Sequence, residues 1–322
     1  MFDELRTQEY SQLNTGDFVD FGGSFPICQT SISRIEEYAN DLFALYPSNQ
    51  SLSPVDAEIE SFRNELLSHF KTDSSKYTLL FSSNTSAVIR ALGHAFPWGE
   101  GCKYIYHVDN HNSILGLRSI VSKNKGEIGA VFDLPESTSK SHSLFAYAPQ
   151  SNVNGRKYPL SWIPQFQALN PGFSHVLLDC AAYSPTCDLD LSEYSPDFVV
   201  ISLLKMFGAS GGAILIRNDQ FGYLSNIEEQ PLDKMSIVAA YSGFRIRSTF
   251  IKALGDISVT EHVYNLAKNL HSALNSLHHY NGQKLVQLYP EEFRSISEQG
   301  GTISFNLFES KGNGIPHDSI FT

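Results

Sequence analysis

Apolar residues recur along this chain in two rhythms. Val55, Ile59, Phe62, Leu66 and Phe70 return every three or four positions, the spacing that keeps one face of a helix dry. Ser53-Pro54-Val55-Asp56 marks the start of that helix: a serine able to cap, a proline suited to the first helical position, and an acid where a capping box wants one. Tyr77–Phe81 is then a short apolar run of strand type, followed by a polar turn and a helix over Ser86–Phe96. The alternation continues with strands over Lys103–Val108, Ile128–Phe132, Ser143–Ala148, His175–Leu178, Phe198–Ser202 and Ala213–Ile216. Helices fall over Ser113–Ser122 and Leu160–Ala168. Strands that are apolar throughout are covered on both faces, so this pattern predicts an α/β fold with a mostly parallel sheet and helices on both sides.

Phe198–Ile216 is apolar and long enough to suggest a bilayer span, but Lys205 near its centre and the pair Gly211-Gly212 divide it into two buried strands around a loop. Residues 218–252 show no clean period and receive no assignment. A long helix follows with Val259, Val263, Leu266, Leu270, Ala273 and Leu277 on one face. Strands over Gln283–Tyr289 and Thr302–Phe308 come next, the second alternating Ile303, Phe305 and Leu307 with Ser304, Asn306 and Phe308. The expected organisation is therefore an N-terminal segment (1–54) packed on a large domain (55–252), and a smaller α+β domain (253–322) read as incomplete.

Composition narrows the class. A chain of 322 residues, 42% hydrophobic, can bury a substantial core, and a net charge of −11 speaks against general nucleic-acid binding. Cys28, Cys102, Cys180 and Cys187 form no C-x-x-C pair, which argues against a disulfide framework or a structural zinc site. The opening Met1-Phe2-Asp3-Glu4-Leu5 lacks the basic-then-apolar order of a leader, so a soluble, cytoplasmic protein without membrane contact is expected.

Local motifs are weak. Gly208-Ala209-Ser210-Gly211-Gly212 matches G-x-S-x-G, but the strand-like Ala213–Ile216 stands where a nucleophile elbow needs a helix, so it reads as a glycine turn. His107 and His111 flank Asp109, yet one lies on a strand and the other beyond its end; His278 and His279, taken as helical, point apart. No metal site is expected. Parallel sheets carry their functional groups just past the carboxyl ends of the strands. That rule selects Ser82–Thr85, Asp109–His111, Gln150, Asp179 and Ser202–Lys205. Asp179 ends one buried strand and Lys205 follows the next. They are either an ion pair or two solvated loop residues, or they bracket a pyridine cofactor, with Lys205 as Schiff-base lysine and Asp179 on the ring nitrogen. Ser83-Asn84-Thr85 at the mouth of a helix offers N–H groups and a hydroxyl to a phosphate.

Taken together, these segments resemble the molybdenum cofactor sulfurases. The resemblance rests on Phe81-Ser82-Ser83-Asn84-Thr85-Ser86-Ala87 with Ala95-Phe96-Pro97-Trp98, and on the stretches 109–118 and 150–160. Leu178-Asp179-Cys180-Ala181-Ala182-Tyr183 and Ser202-Leu203-Leu204-Lys205-Met206-Phe207-Gly208 continue it. It implies fold type I of the transferases that use pyridoxal 5'-phosphate (PLP), in their class V, cysteine-desulfurase-like branch. By that resemblance Lys205 is the Schiff-base lysine, Asp179 holds the pyridinium, His111 stacks on the ring and Gln150 reaches the phenolic oxygen. Thr85 and Ser202 help bind the phosphate, with Asn84 in the phosphate loop. The implied partners are a small amino-acid substrate, cysteine, and a second copy in a homodimer.

The sequence departs from the family at several places, among them Asp20-Phe21-Gly22-Gly23-Ser24, which stands for the family's N-terminal Asp-His-Ala-Gly-Ala segment. Ser83-Asn84 stand where a small residue and glycine precede the threonine, no glycine-rich threonine segment is recognisable between Asn218 and Lys252, and none of the four cysteines occupies the persulfide position. The family's small domain is expected to run past Thr322 to a carboxylate-binding arginine and that cysteine. Two functions therefore stand side by side: a PLP enzyme with desulfurase-like or other amino-acid chemistry, and a lapsed scaffold of the same fold.

Overall fold

The computed structural model describes residues 2–15, 20–45, 53–225, 227 and 233–316. Its centre is a seven-stranded sheet built from β1 (Tyr77–Ser82), β2 (Lys103–His107), β3 (Glu127–Val131), β4 (Ser143–Tyr147), β5 (Ser174–Asp179), β6 (Phe198–Ser202) and β7 (Gly212–Arg217). Across the sheet the order is β1-β7-β6-β5-β4-β2-β3. Strands β3, β2, β4, β5 and β6 pair in parallel, and β7 lies antiparallel to both of its neighbours. Two reversals cancel, so β1 runs with the other five and six carboxyl ends reach one edge. Every residue of β4, β5 and β6 is buried, as wholly apolar strands require.

Nine helices, α1 (Phe2–Glu9), α2 (Gln29–Leu45), α3 (Ser53–His69), α4 (Thr85–Ala95), α5 (Asn112–Lys123), α6 (Trp162–Gln167), α7 (Leu203–Phe207), α8 (Lys234–Ala253) and α9 (Val259–Asn275), are present among the described residues. Strand side chains alternate between two apolar layers. Leu79 and Phe81 of β1 join Phe62, Leu66, Phe207 and Tyr241 on one face, and Ile214 and Ile216 of β7 join Ile89, Leu92, Leu117 and Val121 of α4 and α5 on the other. Phe198–Ile216 is β6, α7 and β7 in succession. No helix among the described residues is long and apolar enough to cross a membrane.

The unassigned stretch 218–252 holds all but the last residue of α8, a helix of 20 residues. Ile237, Val238, Ala239, Ala240 and Tyr241 are buried in succession, so the first half of this helix is covered all round and blurs the 3.6-residue signal, while Arg245, Thr249 and Lys252 of its second half are exposed. Helices α1 and α2 also escaped the reading. Glu9 at the end of α1 accepts hydrogen bonds from Thr30 N (2.9 Å) and Thr30 Oγ1 (2.8 Å), closing the first turn of α2, and Ser31 Oγ donates to Ala239 O of α8. The capping proposed for Ser53 concerns a side chain outside the described residues, and Asp56 forms an ion pair with Lys234.

In the C-terminal stretch α9 packs beside the antiparallel pair β8 (Val286–Tyr289) and β9 (Ser304–Leu307). The stripe read as its buried face is largely open: Leu266 is 57% and Leu270 50% exposed, and Ala267 and His271 are the buried positions. His278 and His279 lie past the end of α9, with His278 Nδ1 at Ser276 O and His279 Nε2 at Phe308 O.

At the opposite end of the sheet from the six carboxyl ends, His142 Nδ1 meets His175 Nε2 at 2.8 Å, and His175 Nδ1 meets Gln220 Oε1 at 2.8 Å. Burial, and then the His175 ring, lower the His142 pKa; burial also lowers that of His69. A histidine whose folded pKa is lowered takes up its proton more readily when unfolded. Its contribution to stability is therefore full above the ordinary value of 6.5 and is lost as pH falls through the depressed folded value. The urea midpoint should drop below pH 6.5 in the wild type and drop less in His142→Gln; equal pH slopes would contradict this assignment.

Candidate functional site

Local folding puts each residue singled out in the sequence at the common edge. Asn84 is the N-cap of α4, its Oδ1 accepting from Ala87 N at 2.8 Å. The polar turn after β1 thus becomes a helix start with free N–H groups. Ser202 caps α7 in the same way, accepting from Lys205 N at 3.3 Å, so the serine ending β6 fixes the turn that carries Lys205. His111 caps α5, with Nδ1 accepting from Ser113 N at 3.2 Å.

Gly212 joins two of these pieces. It pairs with Ser82 of β1 on one side and with Ser202 of β6 on the other. A methyl group on it would stand 2.5 Å from Thr85 N and 2.7 Å from Asn84 C. The missing side chain is what lets the start of α4 lie against the sheet beside Ser202. Sequence reading took Gly211-Gly212 only as a turn; the close backbone approach left no signal beyond the glycine itself. Gly208 ends α7 with φ +77° and lies against the chain at Ile27 Cα, and β7 follows, as the glycine-turn reading of G-x-S-x-G supposes.

Asp179 ends β5 and is 3% exposed. Its Oδ1 accepts from Ala181 N at 3.1 Å. Burial pushes its pKa above the usual carboxylate range, while the Ala181 N–H and the charges of His111 and Lys205 pull the other way. His111 and Lys205 therefore both lie within electrostatic reach of Asp179. Lys205 Nζ makes no hydrogen bond or ion pair among the described residues.

Gln150 is buried, with Nε2 donating to Ala182 O (3.1 Å) and Cys187 Sγ at 3.7 Å from Oε1. Thr85 Oγ1 donates to Ile201 O at 3.4 Å. Asp109, flagged only as part of a strand end, is held at both oxygens: Ser151 Oγ donates to Oδ1 (3.0 Å) and Tyr158 OH to Oδ2 (2.8 Å). Asn110 Nδ2 donates to His107 O and Ala146 O, tying the ends of β2 and β4 together. His107 and His111 diverge: His107 Nε2 meets Phe132 O on the buried side, and His111 is exposed at its helix start.

A mostly parallel sheet with helices on both faces is the architecture of the PLP-dependent transferases of fold type I. The chain belongs to the aminotransferase class-V family, whose profile matches residues 18–284. It is 30% identical to human molybdenum cofactor sulfurase over 98% of its own length, and spans 42% of that relative. The alignment runs over 377 positions, more than this chain has residues, so the relative carries segments without a counterpart here. Among solved structures, a mutant of C-DES with glycine covalently linked to its PLP cofactor superposes with a TM-score of 0.74 at 16% identity, covering 94% of this chain and 86% of that one. The apo cysteine desulfurase of Thermococcus onnurineus gives 0.74 at 15%, covering 95% and 82%. At these identities the structural likeness concerns the fold.

Gly212→Ala should lower stability by about 1–3 kcal/mol through overpacking at the Asn84–Thr85 backbone. Urea unfolding measures it, with Gly222→Ala, where a methyl meets nothing within 4 Å, as the comparison. Equal losses at the two positions would contradict the close approach.

Proposed function

We propose that this chain binds PLP at the carboxyl edge of the sheet and acts on an amino acid, with cysteine as the first substrate to test. One observation carries the reading: a buried carboxylate, Asp179, whose pKa burial raises, within reach of the charges of Lys205 and His111 and with no ion pair among the described residues. Such an acid calls for a cationic, hydrogen-bonding partner, and a protonated pyridine nitrogen is one.

The residues present fit the group. Asp179 would hold the ring nitrogen, Lys205 offers an amine uncommitted among the described residues, and His111 would cover the ring. The N–H groups at the start of α4, with Thr85 and Ser202, would receive the phosphate. Bound there, PLP supplies an electron sink for chemistry at the Cα of an amino acid. The protein's own part is to hold Asp179 at a dry strand end, to hold Lys205 at the first turn of a capped helix, and to present N–H groups to an anion. Cysteine is favoured as substrate because relatives are named molybdenum cofactor sulfurases and a structural neighbour is a cysteine desulfurase.

A second reading has its own support. All four cysteines of the chain are buried, and burial raises the pKa values of Cys180 and Cys28. A thiol that accepts sulfur works as an accessible thiolate. This favours amino-acid chemistry in which these 322 residues supply no sulfur-accepting cysteine.

Mixed with PLP, the purified chain should develop a visible absorption band that borohydride abolishes, and Lys205→Ala should develop none. If wild type and Lys205→Ala stay equally colourless, the proposal is wrong.

A further inference from the structure

Gln150 is fixed by a segment more than 140 residues away in sequence. Residues 298–304, which lead into β9, are sewn onto the loop after β4. Glu298 O accepts from Lys157 N (2.8 Å), Gly300 N donates to Gly155 O (2.7 Å), and Ser304 Oγ donates to Val153 O. Gln299 is completely buried in this seam, its Nε2 donating to Asn154 O at 2.8 Å.

Two glycines make the interlock possible. Gly155 has φ +72°, and a methyl there would stand 2.7 Å from both Gln299 Nε2 and Thr302 O. From the other side, a methyl on Gly300 would overlap Gln150 Oε1. The neighbouring Gly301 faces elsewhere: its methyl would meet Val263 Cγ1 of α9 at 2.6 Å. The backbone at Gly300 thus forms a wall against the Gln150 amide, whose other contacts are Ala182 O and Cys187 Sγ. The same loop orients Asp109 through Ser151 Oγ and Tyr158 OH, two residues before His111.

We propose that Gln299 and Gly300 are positioning residues: they set the side chain of Gln150 and the loop 150–157, and through Asp109 the approach to His111, so that the C-terminal stretch shapes the cofactor site without touching the cofactor. This rests on the reading of Gln150 and His111 as cofactor residues. A side chain boxed by backbone on one side and hydrogen bonds on the other is held in place far better than one on a free loop. A displaced supporting residue spoils the geometry of a site it never contacts.

The test reads hydrogen exchange of the PLP-free chain beside PLP affinity. In Gly300→Ala, amides of residues 150–157 should exchange about tenfold faster and PLP should bind about tenfold more weakly. In Gly301→Ala, which disturbs α9 instead, both should change by less than about twofold. In a Gln150→Ala background, where the blocking oxygen is gone, adding Gly300→Ala should change exchange of the loop by less than about twofold. Equal effects of Gly300→Ala and Gly301→Ala, or an undiminished effect of Gly300→Ala without the Gln150 amide, would overturn the proposal. Should Gly300→Ala not fold, Gln299→Ala removes the bond to Asn154 without adding atoms; it should give the same two changes, and wild-type exchange in it would overturn the proposal. A wild type that binds no PLP defeats the cofactor reading by itself, and the exchange comparison still decides the interlock.

Discussion

The carboxylate of Asp179 stands at the end of a strand whose six residues are all buried, and burial works against its charge. A charge in such a place is costly unless other groups compensate it. Among the described residues the compensation is partial: one backbone N–H at Ala181, and the fields of His111 and Lys205. Lys205 comes from the strand next to β5, and His111 from two strands away on the other side. What the protein leaves unsatisfied at this carboxylate is what a cationic ring would satisfy, and for that reason the functional reading centres here.

Strand direction explains why these groups meet. With β7 inserted antiparallel between β1 and β6, the carboxyl end of β1 comes alongside that of β6, and Gly212 brings Ser82 and Ser202 into register across it. The start of α4 and the start of α7, one exposing N–H groups and the other carrying Lys205, are thereby placed side by side. Each is held by its own side-chain cap, Asn84 and Ser202. The departure from the family at Ser83-Asn84 has a local consequence of its own: asparagine, among the strongest N-cap residues, occupies the cap.

Much of this was legible in the sequence because wholly apolar strands mark a parallel sheet, and such sheets carry function at one edge. Asn84, His111, Gln150, Asp179, Ser202 and Lys205 all fall there. The N-terminal helices and α8 were not legible, α8 because its first half, Ile237–Tyr241, is buried in succession and blurs the amphipathic period. The periodicity of α9 misled in the opposite sense: Leu266 and Leu270 share a stripe that the described residues leave open, while Ala267 and His271 face inward. Contacts between distant segments were beyond reach of any local pattern. Nothing in Gln299-Gly300-Gly301 announces that one glycine faces Gln150 and the next faces Val263.

A site that keeps a buried acid for a ligand trades stability for binding. Apolar burial around β5 is extensive enough to hold such a group in place, as the fully buried Val176, Leu177 and Leu178 indicate. The most direct measurement is therefore Asp179→Asn, studied in one experiment for thermal stability without PLP and for PLP affinity. Replacing the buried charge by a neutral amide should leave the cofactor-free chain as stable as wild type or more so near neutral pH, and should weaken PLP binding by about tenfold or more. A variant that is clearly less stable without PLP yet binds it as tightly as wild type would make Asp179 a structural acid and contradict the account.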